Sequence, residues 1–288
     1  MKRKDRINNL KESVKVLNIK NSDRVVIFSD CHRGDGSFRD SLYPNTNIYI
    51  TALRHYYNEG FTYIEAGDGD ELWKFKNIND IYIAHEDEYK LFSAFKQKGR
   101  FHMIYGNHDD EKSKVKFKKK ILKGKNIFLK DFYSDLEIHE GLLLNIEGKK
   151  EFLVFHGHQL DYVSYEFACV SKFLVRYVWS FLNGVLSFRE VLSPAKSDNI
   201  RETVDKRIGA WSEKNKMSVI IGHTHNTIFP SNDGVQYYNI GAAVLPYAVT
   251  CIEIKNGTIT LVKWTIKSIE NGVLAVKKEL LATPRLIK

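Results

Sequence analysis

The chain has 288 residues, which is enough for one large domain or two modest ones with a buried core. Its hydrophobic content of 43% and charged content of 27% are ordinary for a soluble globular protein. A formal net charge of +9 favours anionic partners, such as nucleic acid, phosphorylated metabolites or acidic lipid headgroups, although a solvated lysine-rich surface would carry the same charge.

The sequence argues against several classes of protein. Three cysteines, Cys31, Cys169 and Cys251, are far apart and odd in number, so no disulfide framework is indicated. The first residues are polar and lack the apolar core of a signal peptide. No stretch approaches the roughly 18 uncharged apolar residues of a membrane-spanning helix. We therefore expect a cytoplasmic protein and infer no obligate protein partner.

The first half of the chain predicts alternating strands and helices. Residues up to about 20 are charged and predict a helix or an ordered arm. After them, the apolar patterns predict strands at 24–29, 61–66 and 101–105 and helices at 47–59 and 84–98. This alternation is typical of a parallel sheet with right-handed crossovers.

The second half has a different rhythm. Residues 127–155 predict short antiparallel strands, and residues 160–217 predict a helical insertion. A strand at 218–221 and further strands between 234 and 264 follow, with Asn256-Gly257 as a hairpin turn. The sequence thus predicts a single domain over 1–288 that contains a helical insertion over 160–217.

Five short polar motifs follow the apolar runs. They are Asp30-Cys31-His32, Gly67-Asp68-Gly69-Asp70-Glu71, Gly106-Asn107-His108-Asp109, His156-Gly157-His158 and Gly222-His223-Thr224-His225. Because each lies just past a predicted strand, their side chains can converge at one edge of a sheet. Carboxylate, imidazole and amide ligands suit Mn, Fe, Zn or Co better than Ca or Mg, and a carboxylate can bridge two cations about 3.5–4 Å apart.

Each motif alone has an ordinary explanation, as a surface turn or a satisfied core histidine. Together they favour metal binding, because clustered carboxylates and imidazoles need the compensation that a cation supplies. Strand alternation places Asp30 and His32 on one face and Cys31 on the other, so Cys31 is predicted to pack. His102 is predicted to be a packed strand residue, and His158 is placed to line the site.

In this order, over residues 30–225, the motifs resemble those of the calcineurin-like metallophosphoesterases. The resemblance implies an α/β (α+β) fold, a four-layer αββα sandwich of two mixed β-sheets flanked by helices. It also implies two metal sites that share a bridging Asp68. One set of ligands is Asp30, His32, Asp68 and His225, and the other is Asp68, Asn107, His156 and His223.

The same resemblance implies two divalent cations, with Mn preferred over Fe, Zn, Co or Ni. Their bridging hydroxide would attack phosphorus in line. His108 would donate a proton to the leaving oxygen or stabilise the transition state, oriented by Glu71 or by Asp109, which could instead cap the next segment. Arg33 and Arg39 flank the first motif and would grip phosphate oxygens, unless they are solvated loop charges.

The pattern Gly67-Asp68-x-x-Glu71-x-Trp73 and the apolar insertion resemble the branch of UDP-2,3-diacylglucosamine pyrophosphatases, which split a nucleotide–lipid pyrophosphate under a helical lid. Two features differ: His108 stands where that branch often has Arg, and residues 33–36 do not follow its pattern. We therefore predict a phosphoesterase for a phosphodiester or pyrophosphate, such as a nucleotide-linked lipid or sugar. The insertion over 160–217 would be a lipid-facing lid or an ordinary buried helix pair.

Other activities stay open. A phosphomonoesterase acting on protein or small molecules is one, although Leu72 stands where a serine/threonine phosphatase would carry Arg. A nuclease agrees with the basic charge, and a non-catalytic metal-binding scaffold would be expected to have lost ligands. The lysine-dense stretch from Lys112 to Lys125 would attract nucleic acid or the inner face of a membrane, or form a solvated helix face.

Overall fold

The computed structural model describes residues 3–148, 150–161, 194–231 and 236–287. The described helices are α1 (Arg3–Ser13), α2 (Thr46–Asn58), α3 (Ile78–Ala84), α4 (Glu86–Gln97), α5 (Val115–Lys123), α6 (Ile127–Ser134) and α7 (Pro194–Asn215). The described strands are β1 (Lys15–Ile19), β2 (Arg24–Phe28), β3 (Thr62–Ala66), β4 (Phe101–Ile104), β5 (Ile138–His139), β6 (Gly141–Ile146), β7 (Lys150–Phe155), β8 (Ser218–Ile221), β9 (Thr227–Ile228), β10 (Tyr237–Ile240), β11 (Ala248–Lys255), β12 (Thr258–Ser268), β13 (Leu274–Leu280) and β14 (Arg285–Leu286). Within these described ranges, none of the helices combines the length and the apolar character needed to cross a bilayer.

The strands form two mixed sheets. The first sheet has the order β1-β6-β7-β8-β10-β9, with β7 and β8 parallel. The second sheet has the order β13-β12-β11-β2-β3-β4-β5, with β14 paired to β12 and with β2, β3 and β4 parallel. Parallel neighbours end at the same edge, so each sheet brings several loops together there.

Alternating side chains of β2 separate two of the three apolar cores. Val25 and Ile27 point into a core between the two sheets, together with residues of β6, β7 and β8. Val26 and Phe28 point to the opposite side, into a core shared with α2, α4 and α6. A third core lies between the first sheet and helices α1 and α7. These cores establish the four-layer αββα sandwich that the resemblance implies.

Most elements of the first half agree with the sequence prediction. The strands at β2, β3 and β4, the helices α2 and α4, and the β11–β12 hairpin are confirmed. The predicted strand over the first residues of 127–155 is wrong, because residues 127–134 form α6. Asn126 caps that helix by accepting a hydrogen bond from Leu129 N (3.0 Å), and the apolar residues Leu129, Phe132 and Tyr133 recur at helical spacing.

Two further differences concern the ends of predicted segments. The first residues form α1, as expected. The edge strand β1 follows it and was not predicted, because this short, half-exposed segment has no clear alternation of apolar and polar residues. In the predicted insertion, α7 covers residues 194–215. Residues 162–193, which include Cys169 and most of the predicted lid, lie outside the described residues, so the lid stays a prediction.

Candidate metal centre

All five motifs lie at the ends of strands, and the strands come from both sheets. The first three motifs follow β2, β3 and β4 of the second sheet, and the last two follow β7 and β8 of the first. Backbone hydrogen bonds join neighbouring loops: Asp30 N donates to Gly67 O (3.1 Å), and Gly222 N donates to His156 O (3.1 Å). The candidate centre therefore lies where the two sheets meet at one edge of the sandwich.

Glycine is required where these loops cross closely. Gly67 has a φ of +92°, and a Cβ atom there would lie 2.6 Å from the imidazole of His156. A Cβ atom on Gly106 would lie 2.1 Å from Oδ1 of Asp68. Both spaces are filled by side chains of predicted ligands, which explains why these motifs begin with glycine.

Five of the seven predicted ligands have a left-handed backbone. Their φ values are 53° at Asp30, 47° at His32, 51° at Asp68, 67° at His223 and 59° at His225. Non-glycine residues rarely adopt this conformation, and its clustering at one site indicates a functional constraint. The strand alternation used to orient the first motif thus stops at Phe28, because Asp30 and His32 have already left the extended conformation.

Cys31 packs in the core, as predicted, although for a different backbone reason. Its side chain is fully buried among the residues between the second sheet and its helices. Burial raises the pKa of the thiol to about 12, so the reactive thiolate is disfavoured. His102 lies half-buried within β4.

The first predicted ligand set comes together around Asp30. Oδ1 of Asp30 lies 3.1 Å from Nε2 of His225 and 3.9 Å from Nε2 of His32. Oδ2 of Asp68 lies 3.8 Å from Nε2 of the same His32. The donor atoms of Asp30, His32 and His225 lie within 4.8 Å of one another, which is close enough for one ion.

The second predicted set gathers on the other side of Asp68. Oδ2 of Asp68 lies 3.1 Å from Nε2 of His156, and the donor atoms of Asp68, His156 and His223 lie within 4.8 Å of one another. Asn107, which completes this set in the prediction, is buried on the loop after β4. The next residue in that loop, His108, donates its backbone N–H to Asp68 Oδ1 (2.8 Å). Asp68 thus lies between the two groups, as a bridging ligand would.

Three of the four predicted histidine ligands are held through one ring nitrogen by a neighbouring oxygen, which leaves the other nitrogen for a metal. Nδ1 of His32 donates to Glu71 Oε2 (3.0 Å), and Nδ1 of His156 donates to Ala66 O (3.0 Å), so Nε2 faces the cluster in both. In His223 the roles are reversed, because Nε2 lies 3.1 Å from Oδ2 of Asp161 and Nδ1 is left over. Partners of this kind fix the tautomer and the direction of a metal-binding histidine.

Unsatisfied buried atoms provide a test of whether a cation fits. Among the described residues, four atoms of the predicted ligands are buried and make no hydrogen bond of acceptable geometry: Asp30 Oδ1, His32 Nε2, Asn107 Oδ1 and His156 Nε2. Asp30 Oδ1 and His156 Nε2 each face an atom of another predicted ligand at 3.1 Å. Leaving such atoms unpaired is unfavourable, and a metal ion would satisfy all of them. Their mixture of oxygen and nitrogen suits a transition metal better than Ca or Mg. The cluster is therefore able to bind metal ions.

The electrostatics of the cluster also favour a cation. Burial by itself would lower the pKa of His156, but the carboxylates of Asp68 and Asp30 outweigh it and raise that pKa to about 9. Burial would likewise raise the pKa of Asp68, yet the imidazoles of His156 and His108 hold it well below its usual range. The negative potential that draws a proton to His156 would attract a metal ion in the same way.

His108 is held at the edge of the cluster by two neighbours. Its Nδ1 donates to Glu71 Oε1 (2.8 Å), and its ring stacks on Trp73 with centroids 4.2 Å apart. Its side chain is 20% exposed, whereas that of Glu71 is 2% exposed. With Nδ1 occupied by Glu71, Nε2 is the nitrogen left for a substrate. His32 contacts the other oxygen of Glu71, so one carboxylate fixes both histidines.

The carboxylate of Asp109 is used in hydrogen bonds to the loops after β3 and β4 and does not orient His108. Its carboxylate accepts hydrogen bonds from Gly106 N (2.7 Å), Gly69 N (3.1 Å) and Lys112 Nζ (2.8 Å). These bonds join the loop after β3 to the loop after β4. The carboxylate beside His108 is that of Glu71, and the hydrogen bonds of Asp109 indicate a structural role.

The proposed contact of Arg33 with substrate is wrong. Its side chain has no exposed surface, and its Nε donates to Asp70 Oδ1 (2.7 Å) while one terminal nitrogen lies 2.8 Å from Glu65 Oε2. The guanidinium also lies 4.9 Å from the centre of the Phe92 ring. Arg33 points into the core because the first motif leaves the strand direction. Arg39 is half-buried over Phe75, and its contact with substrate stays a prediction.

His158 lies in the wall of the site. It is 5% exposed, and its ring centroid lies 5.5 Å from that of His156. Burial lowers the pKa of His158 well below its usual range, and the neighbouring His156 and His223 lower it further. His158 is therefore a neutral side chain beside the second ligand group.

Sequence reasoning missed the residues that support the last motif. Asp205 of α7 accepts hydrogen bonds from Thr224 Oγ1 (2.9 Å), Asn239 Nδ2 (3.1 Å) and the Tyr237 hydroxyl. Thr224 lies between His223 and His225, so Asp205 anchors their loop to a helix. Asp161 was missed for the same reason as Asp205: both fall in the stretch predicted only as a helical insertion.

The comparisons with known proteins identify no relative by sequence. No family model matches the chain, and no curated protein matches it. Among solved structures, Vacuolar Protein Sorting 29 from Cryptosporidium parvum is 11% identical with a TM-score of 0.37, over 91% of this chain and 98% of that one. A cold-active protein-tyrosine phosphatase from a Shewanella species is 11% identical with a TM-score of 0.41, over 91% and 83%. Vps29 from Chaetomium thermophilum is 11% identical with a TM-score of 0.38, over 90% and 95%. The fold is therefore assigned from the sheets and cores of this chain itself.

Proposed function

We propose that this chain is a metal-dependent phosphoesterase of the calcineurin-like metallophosphoesterase family that hydrolyses a phosphodiester or pyrophosphate bond. One observation carries the proposal: six predicted ligands form two groups, Asp30–His32–His225 and Asp68–His156–His223, whose ligand atoms lie within 4.8 Å of one another in each group. The order of the five motifs along the chain supports the choice of family.

The two ligand groups around Asp68 would hold two divalent cations, with Mn preferred. Asp30, His32, Asp68 and His225 would hold one, and Asp68, Asn107, His156 and His223 the other. When bound, the cations would neutralise charge on the phosphoryl oxygens and lower the pKa of a water, which makes attack on phosphorus feasible at neutral pH.

His108 would supply the proton for the leaving oxygen. The Glu71 carboxylate holds Nδ1, while the stack on Trp73 fixes the plane of the ring. Nε2 then faces substrate as the donor. General acid catalysis of this kind contributes about 10²–10⁴-fold in rate, most of all when the leaving group is a poor one.

The sequence likeness supports a nucleotide-linked lipid or sugar as substrate. A phosphomonoester is the competing substrate class within the same chemistry. A non-catalytic scaffold is disfavoured because it would be expected to have lost ligands, whereas every predicted ligand position and His108 are present.

The test combines metal analysis with hydrolysis of two phosphate diesters that differ in leaving group, bis(4-nitrophenyl) phosphate and diphenyl phosphate. We expect His108→Ala to keep its metal and to lose more rate on the phenyl ester than on the nitrophenyl ester. Asp68→Ala should lose both metal and activity, whereas Asp131→Ala, at an exposed carboxylate, should retain both.

Two results would contradict the proposal. A protein that holds stoichiometric metal yet hydrolyses neither diester nor the corresponding monoesters would be a scaffold. Equal rates for His108→Ala and the unmodified protein on the phenyl ester would show that His108 is not the acid.

A further inference from the structure

A cavity of about 660 Å³ lies between the loop after β3 and helices α5 and α6. This volume is typical of a pocket for a small molecule. The loop after β3 carries Asp68 and Trp73, and the segment after β4 carries Asn107 and His108 before it continues into α5. The cavity is therefore built on the same two chain segments as the candidate metal centre.

The cavity is strongly basic above an apolar floor. Its lining includes five lysines and one carboxylate, which are Lys76, Lys114, Lys116, Lys120, Lys125 and Glu111. Its floor includes Ile78, Ile121 and Leu129, each nearly fully buried. Such a lining complements an anion that is joined to an apolar or planar body.

The structure divides the lysine-dense stretch into three groups. Lys112 is buried among carboxylates, whereas Lys116 and Lys120, four residues apart on one face of α5, line the cavity beside Lys125. Lys118, Lys119 and Lys123 are exposed and do not line it. Lys114 also lines the cavity but pairs with Asp110 (2.6 Å). The remaining three lining lysines of this stretch can be compared with the three exposed lysines that do not line it.

The distance to the candidate centre is short. Lys76 follows Trp73, the residue that stacks on His108, by three positions. Three residues of extended chain span at most about 11 Å. The cavity lining thus begins within about 11 Å of the residue that stacks on His108, and this is the length that a bound substrate would have to span.

We propose that this cavity binds a second phosphoryl group of the substrate while the first is hydrolysed at the metal centre. The inference rests on the proposed function and narrows its substrate class to molecules with two separated phosphoryl groups. The alternative occupant of the cavity is a free phosphorylated ligand, which would act as an effector and would not be part of the substrate.

The test uses two esters that differ by one phosphoryl group: thymidine 5′-(4-nitrophenyl phosphate), with and without a 3′-phosphate. We expect the metal-loaded protein to prefer the 3′-phosphorylated ester by about tenfold in kcat/KM, since charge-assisted contacts of this kind are strong. Replacing Lys116, Lys120 and Lys125 by Gln should abolish that preference. The matched control replaces Lys118, Lys119 and Lys123 by Gln, removes the same charge, and should keep the preference.

Several outcomes would overturn the proposal. They are an absence of preference in the unmodified protein, survival of the preference in the pocket variant, and equal loss in the control, which would indicate only long-range attraction. Stimulation of the unphosphorylated ester by thymidine 3′,5′-bisphosphate, without competition, would replace the substrate assignment with an effector site. If neither ester is hydrolysed, the proposed function fails, and calorimetric binding of the bisphosphate to the pocket and control variants still decides the occupancy of the cavity.

Discussion

Oδ2 of Asp161 lies 3.1 Å from Nε2 of His223. In His223 this contact holds Nε2, whereas in His32 and His156 the held nitrogen is Nδ1. His223 therefore offers Nδ1 to the cluster. A carboxylate behind a metal-binding histidine raises its basicity and fixes its direction. Asp161 therefore contributes to the candidate centre without being one of its ligands.

We expect Asp161→Asn to weaken metal binding by about 10–100-fold, because the amide removes the charge behind His223 while keeping the size of the side chain. Competition with a chromogenic chelator measures the metal dissociation constant directly, independently of any activity. The exposed Asp131→Asn serves as control. Equal metal affinity in Asp161→Asn and the unmodified protein would contradict this role.

Lys112 is expected to matter for stability more than its charged neighbours on α5. Its ammonium lies 2.7 Å from Asp70 Oδ2 and 2.8 Å from Asp109 Oδ2, and its side chain has no exposed surface. Lys112→Met would leave two buried carboxylates with less compensation, which costs about 3–5 kcal/mol in the free energy of unfolding. Lys118→Met, at an exposed position, should change it by less than about 0.5 kcal/mol. Denaturant titration compares the two, and similar losses would show that Lys112 is not a buried charge partner.

His85 makes the stability of the fold depend on pH. Its Nε2 lies 2.7 Å from Asp40 Oδ2 and its Nδ1 lies 2.9 Å from Glu88 Oε1. Burial alone would lower the pKa of His85, but these two carboxylates outweigh it and raise the pKa from 6.5 to about 9. The stabilisation is therefore complete below pH 6.5 and is lost as the pH rises through about 9.

The shift corresponds to about 3 kcal/mol of unfolding free energy, which His85→Gln should lack because glutamine does not titrate. We expect the difference in stability between the two proteins to shrink by this amount between pH 6.5 and 9. Unfolding in denaturant at a series of pH values measures it. A difference that stays constant over this range would rule out a protonated His85.

The strands and the clustering of the polar motifs were readable from the sequence because continuous apolar runs end at Phe28, Ala66 and Ile104, each just before a polar motif. The direction of Arg33 was not readable, since the left-handed backbone at Asp30 and His32 ends the strand alternation that would have predicted it.

The apolar run that forms α6 is short enough to fit the spacing of either a strand or a helix, so the sequence alone does not distinguish the two. Asp161 and Asp205 were missed because they fall in the stretch predicted only as a helical insertion, and no local pattern there indicates contacts with His223 and Thr224. Only the packing of α7 and the loop after β7 against the last motif reveals those contacts.

The left-handed backbone at five predicted ligands would have an evolutionary consequence if they hold metal as proposed. Each such residue costs on the order of 1–2 kcal/mol relative to an ordinary conformation, whereas glycine adopts it freely. A glycine at His32 or Asp68 would thus relax the chain and destroy the centre at once. Selection for heat resistance and selection for the metal centre would act in opposite directions at these positions, so any lineage that lost the need for the centre would be free to drift towards glycine.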